Sequence, residues 1–266
     1  MFTSYDSIIA ALSAGYGQDL LYNKVTITSV AANWYTLWYT NGSPGAGTAP
    51  SGVANSAVCD SSTTGAMSYG NANGGRQMSL LSFGGGGQTL NNLILYDRLW
   101  HCGGLPFVTS TQTFTGATAP TRYTNGVGNG LFIEITTASG GGGNTLSVSY
   151  TNQDGVPGRT ASVVVTASSP INRVQFLTLE SGDTGIQSVQ SYSCANTPAG
   201  AFTLVMYNQS MFNILPYPAG GYTERDMVLQ VAQLPTLPDS SCLALMMFAS
   251  TTSTGYVFGK VKIAEG

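Results

Sequence analysis

Short apolar or alternating stretches, separated by Gly, Asn, Ser, Thr and Pro, follow one another from about residue 20 to the end of the chain. Such a pattern is typical of β-strands joined by turns. No helical period lies between them to connect parallel strands, so the pairing should be mostly antiparallel. We therefore predict an all-β fold with an antiparallel β-sandwich or jelly-roll-like body. The predicted strands are Tyr22–Val30, Asn33–Thr40, Met78–Phe83, Leu90–Leu95, Gly130–Thr136, Asn144–Tyr150, Ala161–Ala167, Arg173–Leu179, Ile186–Ser193, Ala201–Tyr207, Met227–Gln230, Cys242–Ala249 and Gly255–Ile263.

A single segment, close to the N-terminus, has a helical pattern. Ser4 can cap it, Asp6 falls in the first turn where the helix dipole favours a negative charge, and Gly15 suits a left-handed stop. Three apolar residues share one face of this helix: Ile8, Ile9 and Leu12. A short amphipathic helix must bury this face, either on a neighbouring chain or on its own β body. We expect residues 1–20 to form a helical arm that can contact a partner.

Residues 21–266 then form the β-rich body. Two glycine runs, Gly84–Gly87 and Gly140–Gly143, each precede a strand and are followed by Gln-Thr-Leu and Asn-Thr-Leu. This similarity suggests two β lobes divided near residues 115–130. Alternatively, the two loops are alike by chance, since so short a similarity is far from a sequence repeat.

Charge is scarce, and this scarcity excludes several classes of protein. Of 266 residues, 21 are charged, which is 8% where an ordinary domain has roughly 25%. With a net charge of −3 and no cluster of bases, we expect no nucleic-acid partner. No apolar run is long enough for a membrane span, and no export signal is recognisable at the start. We expect a soluble protein that is made in a cytoplasm and binds no membrane.

The sequence contains few candidate catalytic or metal-binding residues. Cys59, Cys102, Cys194 and Cys242 lie far apart, which predicts buried, reduced thiols and neither a metal site nor a cofactor. His101, the single histidine, is interpreted as structural.

One pair of carboxylates remains to be considered. Glu224 and Asp226 are close enough for glycoside hydrolysis, but Arg225 between them indicates an ion-pair cluster instead. We expect no enzymatic activity.

The tryptophans allow two interpretations. Trp34 and Trp38 fall on one face of a predicted strand, with Tyr35, Leu37 and Tyr39 on the other. Two indoles in line could stack on sugars. Alternatively, a strand that is apolar on both faces is covered by the core or by a neighbouring chain, and on this interpretation Trp34 and Trp38 contact a partner or the core.

Five groups of segments stand out for a resemblance: Ser4-Tyr5-Asp6, Leu37-Trp38 with Ser43-Pro44-Gly45-Ala46-Gly47, Leu93–Leu99, Gly158-Arg159-Thr160 and Ser181–Gly185. Together they resemble a group of tailed-bacteriophage virion proteins, the head-associated proteins of the cement or decoration type. The resemblance implies an all-β protein on the outside of a phage capsid, usually a trimer, that bridges subunits of the major capsid protein.

The expected function is therefore a non-enzymatic structural one: a homotrimeric cement protein on the capsid exterior. The alternative is a tail-fibre or receptor-binding β module that recognises carbohydrate, which needs Trp34, Trp38 or Trp100 exposed in a groove. A carbohydrate-active enzyme would instead need a cleft containing two acids such as Glu224 and Asp226.

Overall fold

The computed structural model describes residues 4–69, 76–87, 90–208, 213–214, 221–226 and 236–266. This part of the chain forms one α-helix, a short 3-10 turn at Val53–Asn55 and eighteen strands. The helix α1 is Tyr5–Ser13. The strands are β1 Gly17–Val25, β2 Asn33–Thr36, β3 Gly42–Ser43, β4 Ala57–Val58, β5 Arg76–Gly86, β6 Leu90–Pro106, β7 Gln112–Thr113, β8 Asn129–Thr137, β9 Asn144–Asn152, β10 Arg159–Val165, β11 Arg173–Phe176, β12 Ile186–Cys194, β13 Ala201–Asn208, β14 Asn213–Ile214, β15 Tyr222–Asp226, β16 Thr236–Leu237, β17 Leu243–Ala249 and β18 Tyr256–Glu265.

Helix α1 begins and ends as its sequence predicts. The Ser4 side chain accepts a hydrogen bond from the Ser7 N–H, and the Ser7 hydroxyl completes a capping box. Gly15 follows the helix with a φ of 84°, a left-handed conformation that suits glycine. Among the described residues, no helix is long and apolar enough to cross a membrane.

Six strands close into an antiparallel barrel. Around the ring the order is β13, β8, β11, β2, β17 and β6, and β6 pairs again with β13. The short strands β4 and β14 also pair with β6. Closure removes the free edges that an open sheet of these strands would expose.

Two further antiparallel sheets cover the outside of the barrel. Sheet I has the order β15-β5-β18-β1-β3, with β16 also paired to β5, and sheet II has the order β10-β9-β12-β7. Apolar side chains of β1, β5 and β18 pack against β2, β6 and β17. Those of β9, β10 and β12 pack against β6, β8 and β13. The seventeen-residue strand β6 therefore contributes to both outer cores as well as to the barrel.

The predicted all-β, antiparallel, sandwich-like body with a short N-terminal helix is confirmed. Strands β9 and β10 form a hairpin, and Gly155 in its turn has a φ of 76°. The division into two lobes near residues 115–130 stays a prediction. The predicted strand Met227–Gln230 lies outside the described residues.

Most strand boundaries differ from the prediction by at least one residue, and the largest differences are in β1, β2 and β6. Strand β1 begins at Gly17, inside the segment assigned to the arm, and β2 ends at Thr36 instead of Thr40. Strand β6 does not end at Leu95 but continues to Pro106. Its charged residues resemble a strand end in sequence, yet they are buried by partners that lie far away along the chain.

Candidate functional site

The barrel interior contains a buried ion pair. Arg98 on β6 donates two parallel hydrogen bonds to Glu134 on β8, from Nη1 to Oε1 at 2.9 Å and from Nη2 to Oε2 at 2.8 Å. Both side chains are fully buried. In such a site each charge compensates the other for the hydration lost on burial. Either charge alone would be buried without that compensation.

The rings of Trp38 and His101 also contact the Arg98 side chain. Its guanidinium lies 4.4 Å from the ring centroid of Trp38, a cation–π contact. Its Nε donates to Nδ1 of His101 at 3.1 Å. The predicted structural role of His101 agrees with this position, because the imidazole is buried and holds the guanidinium in place.

A β-bulge brings Arg98 and His101 to the same side of β6. In the β6–β13 pairing the register shifts between Met206 opposite Trp100 and Tyr207 opposite Arg98, so Leu99 is the extra residue. An extra residue reverses the alternation of the strand. His101 therefore faces the barrel interior with Arg98, while Trp100 belongs to the core under sheet II.

A second buried ion pair fixes the connection between β7 and β8 to the barrel. Arg122 donates to both oxygens of Asp97, from Nε at 3.0 Å and from Nη2 at 2.7 Å. Its Nη1 also donates to the Cys59 carbonyl oxygen at 2.8 Å. Asp97 accepts a further hydrogen bond from the Cys242 N–H. These contacts join four separate parts of the chain.

Lys24 is a buried cation without a carboxylate partner in the described hydrogen bonds. It follows Leu20 and Tyr22 on the inward face of β1. Its Nζ donates to the carbonyl oxygens of Leu37, Trp38 and Gly45 at 2.9, 3.1 and 3.2 Å. Burial lowers the pKa of Lys24 to about 8. The side chain thus ties β1 to the loop that covers Trp38.

We expect the buried Lys24 to make stability depend on pH. Between about pH 8 and about pH 10.5 the unfolded chain keeps the Lys24 proton and the folded chain releases it. The unfolded state then binds more protons, so the free energy of unfolding rises with pH, by up to about 3 kcal/mol in total. Urea unfolding of the protein and of Lys24→Met at several pH values isolates this term as the difference between them. A difference that stays flat would mean that the three carbonyl oxygens keep Lys24 charged.

Sequence reasoning did not single out Lys24, Arg98, Glu134 or Arg122. For two of these residues, the alternation of inward and outward side chains along the strand contains a signal. Lys24 continues the inward positions of Leu20 and Tyr22, and Glu134 interrupts the apolar run from Leu131 to Ile135. A charge at an inward position indicates a buried partner, although it does not identify that partner.

The predicted partner-contact residues of α1 lie in different surroundings. Ile8 is fully buried against Ala264 of β18, and Leu12 packs beside them. The helix thus rests on its own β body, one of the two alternatives above. Ile9 is 51% exposed, and its contact with a partner stays a prediction.

The tryptophans face the interior. Trp38 and Trp100 are 1% and 0% exposed, and Trp100 donates from Nε1 to the Ala117 carbonyl oxygen. Trp34 is half-buried and packs edge-on against Phe176 and Phe248. As folded, the Trp38 indole offers no surface to a partner or a sugar, because it is enclosed in the core of its own chain. A contact at Trp34 stays a prediction.

The acidic pair considered from the sequence lies on a short outer strand. Glu224 and Asp226 belong to β15, which pairs with β5 in sheet I, and Glu224 is exposed. Arg225 lies between them in the strand, as the sequence already showed.

Sheet I carries an apolar patch on its outer surface, which we call the outer apolar face: Leu21, Val25, Tyr256 and Phe258. All four side chains are exposed, Leu21 at 68% and Tyr256 at 54%. Val25 lies opposite Tyr256 in the β1–β18 pairing. The rings of Tyr256 and Phe258 lie next to Gly86 of β5. A shallow depression of about 220 Å³ lies beside Phe258.

Charged residues border one end of this face. Asp19 and Lys262 form an ion pair at 3.8 Å, Lys260 lies opposite Leu21, and the pairing of β15 with β5 places Glu224 in the same row. Exposed apolar side chains that are grouped and have a polar rim are typical of interaction surfaces.

No family model matches the chain, and no curated protein matches its sequence. Among solved structures, it is similar to T=1 particles derived from infectious bursal virus, with 7% identity, a TM-score of 0.21, and coverage of 94% of this chain and 77% of that one. It is also similar to the VP2 subviral particle of infectious bursal disease virus, with 9% identity, a TM-score of 0.20, and coverage of 94% and 81%. Likenesses at these scores establish neither fold nor function.

Proposed function

We propose that this chain is a non-enzymatic structural protein of a virus particle, a cement protein that binds the outer surface of a phage head as a homotrimer. The observation that carries the proposal is where its few charges lie. Of the 21 charged residues, at least six are buried in the part of the chain that the structure describes: Lys24, Asp97, Arg98, Arg122, Glu134 and Glu265. At most 15 remain for the surface of a 266-residue chain, which suits extensive contact better than acid–base chemistry.

The outer apolar face is the surface that we assign to the capsid. Its exposed Leu21, Tyr256 and Phe258 lie on the paired strands β1 and β18, so one partner surface can contact all three side chains. Major capsid protein is the proposed partner. The carbohydrate-binding alternative rests on the half-buried Trp34, because Trp38 and Trp100 are enclosed.

Two matched substitutions test this assignment. Leu21 on the outer apolar face and Val164 on β10 of sheet II are both 68% exposed strand residues. Leu21→Asp should weaken binding to particles that lack the protein at least tenfold, because it replaces an apolar contact of the interface with a carboxylate that must lose its hydration, whereas Val164→Asp should leave binding unchanged. Cosedimentation with such particles measures both affinities.

The outcomes separate the surface from the function. If the two variants bind alike, the capsid contact lies elsewhere on the protein. If particles assembled without the protein withstand heat and osmotic shock as well as complete particles do, the cement role is wrong. Light scattering on the purified protein checks the trimer.

A further inference from the structure

Cys59 and Cys242 meet beside the β-bulge of β6. Cys59 directly follows β4, and its N–H donates to the Leu99 carbonyl oxygen at 3.0 Å. Cys242 directly precedes β17, and its carbonyl oxygen accepts from the Arg98 N–H at 2.9 Å. The backbones of the two cysteines are thus hydrogen-bonded to consecutive residues of β6. Both belong to the barrel core and are completely buried.

The strand order along β6 brings these two cysteines together. Strand β4 pairs with β6 at Trp100 and His101, and β17 pairs with it up to Asp97, both on the edge opposite β13, so Cys59 and Cys242 lie side by side where β4 and β17 meet. Burial by itself would raise the pKa of the Cys59 thiol, but the neighbouring Cys242 and His101 side chains and the Arg98 charge lower it. Burial and the neighbouring Cys59 raise the pKa of Cys242.

The remaining two cysteines lack this arrangement. Burial raises the pKa of Cys102 to about 12 and also raises the pKa of Cys194. A thiolate next to a protonated thiol is the arrangement that disulfide formation needs, since the thiolate is the nucleophile.

We propose that Cys59 and Cys242 are an oxidation site, a dithiol that a peroxide converts into an intrachain disulfide. The Cys59 thiolate attacks one peroxide oxygen, the O–O bond breaks, and the hydroxide released takes up a proton to become water. The Cys242 thiol then attacks the resulting sulfenic acid, and its proton leaves with the hydroxyl group as a second water. The two sulfurs together lose two electrons, which the peroxide gains.

The bond would fasten the end of β4 to the start of β17 across roughly 180 residues of chain. Closing so long a loop restricts the unfolded state strongly, and we expect the Tm to rise by about 10 °C on oxidation. Because both sulfurs are shielded from solvent, the reaction needs a local opening of the segment after β4 and should be slow. The protein as synthesised therefore keeps reduced thiols.

Hydrogen peroxide treatment of the folded full-length protein tests the proposal. Non-reducing peptide mapping by mass spectrometry should find one peptide pair linked through Cys59 and Cys242, lighter by two hydrogen atoms, and a reductant should reverse both the link and the Tm rise. Cys59→Ser should abolish the link, and Cys102→Ser should preserve it. Since the mapping uses the unmodified chain, an unstable variant does not prevent the test. Recovery of all four thiols after oxidation, or a disulfide through Cys102 or Cys194, would overturn the proposal.

Discussion

Replacement of Glu134 by Gln is expected to lower the free energy of unfolding by about 3–5 kcal/mol. The variant keeps the shape of the side chain but leaves the Arg98 guanidinium buried without a counter-charge. Arg98 cannot reach water to recover its hydration, because both side chains are fully buried in the barrel. Urea unfolding followed by tryptophan fluorescence measures the change, since Trp38 stacks on Arg98.

The same substitution at another ion pair serves as the control. Glu180 accepts from Arg159 at 2.8 Å, but its side chain is 43% exposed. Glu180→Gln should cost less than about 1 kcal/mol, because water screens and replaces this contact. A loss at Glu134 no larger than the loss at Glu180 would contradict the importance of the barrel pair.

Introduction of a methyl group at Gly47 is expected to cost about 3 kcal/mol. A Cβ at this position would lie 2.3 Å from Cε2 and 2.4 Å from Nε1 of Trp38, so the indole must move. Trp38 is held between this loop and Arg98, and its Nε1 donates to the Thr48 carbonyl oxygen at 3.1 Å. Any shift of the indole therefore disturbs the covering of the buried guanidinium.

Gly45→Ala is the matched control within the same loop. A Cβ on Gly45 meets no atom within 4 Å, and this glycine has no positive φ. Thermal unfolding of both variants should show a lowered Tm for Gly47→Ala only. An equal effect of the two substitutions would show that the loop tolerates or rejects side chains for reasons unrelated to Trp38.

The sequence by itself determined the local structure. Alternating apolar residues separated by turn formers predict strands. Successive side chains of a strand point to opposite faces, so the pattern is visible in neighbouring residues of the sequence. Ser4, Asp6 and Gly15 mark the helix ends through contacts within one turn of the chain. The low charge also pointed to contact rather than catalysis before any strand was placed.

Only the tertiary structure decided how the strands are joined and where the charges lie. The ring closes where β13 meets β6, a pairing that no local pattern encodes. From Tyr96 to His101 the sequence resembles the end of a strand, yet the bulge at Leu99 directs both Arg98 and His101 inward. The partners of this segment come from elsewhere in the chain: Glu134 pairs with Arg98, and Arg122 pairs with Asp97. Whether a charge is exposed or buried depends on partners far along the chain, so its place is known only once the whole barrel has closed.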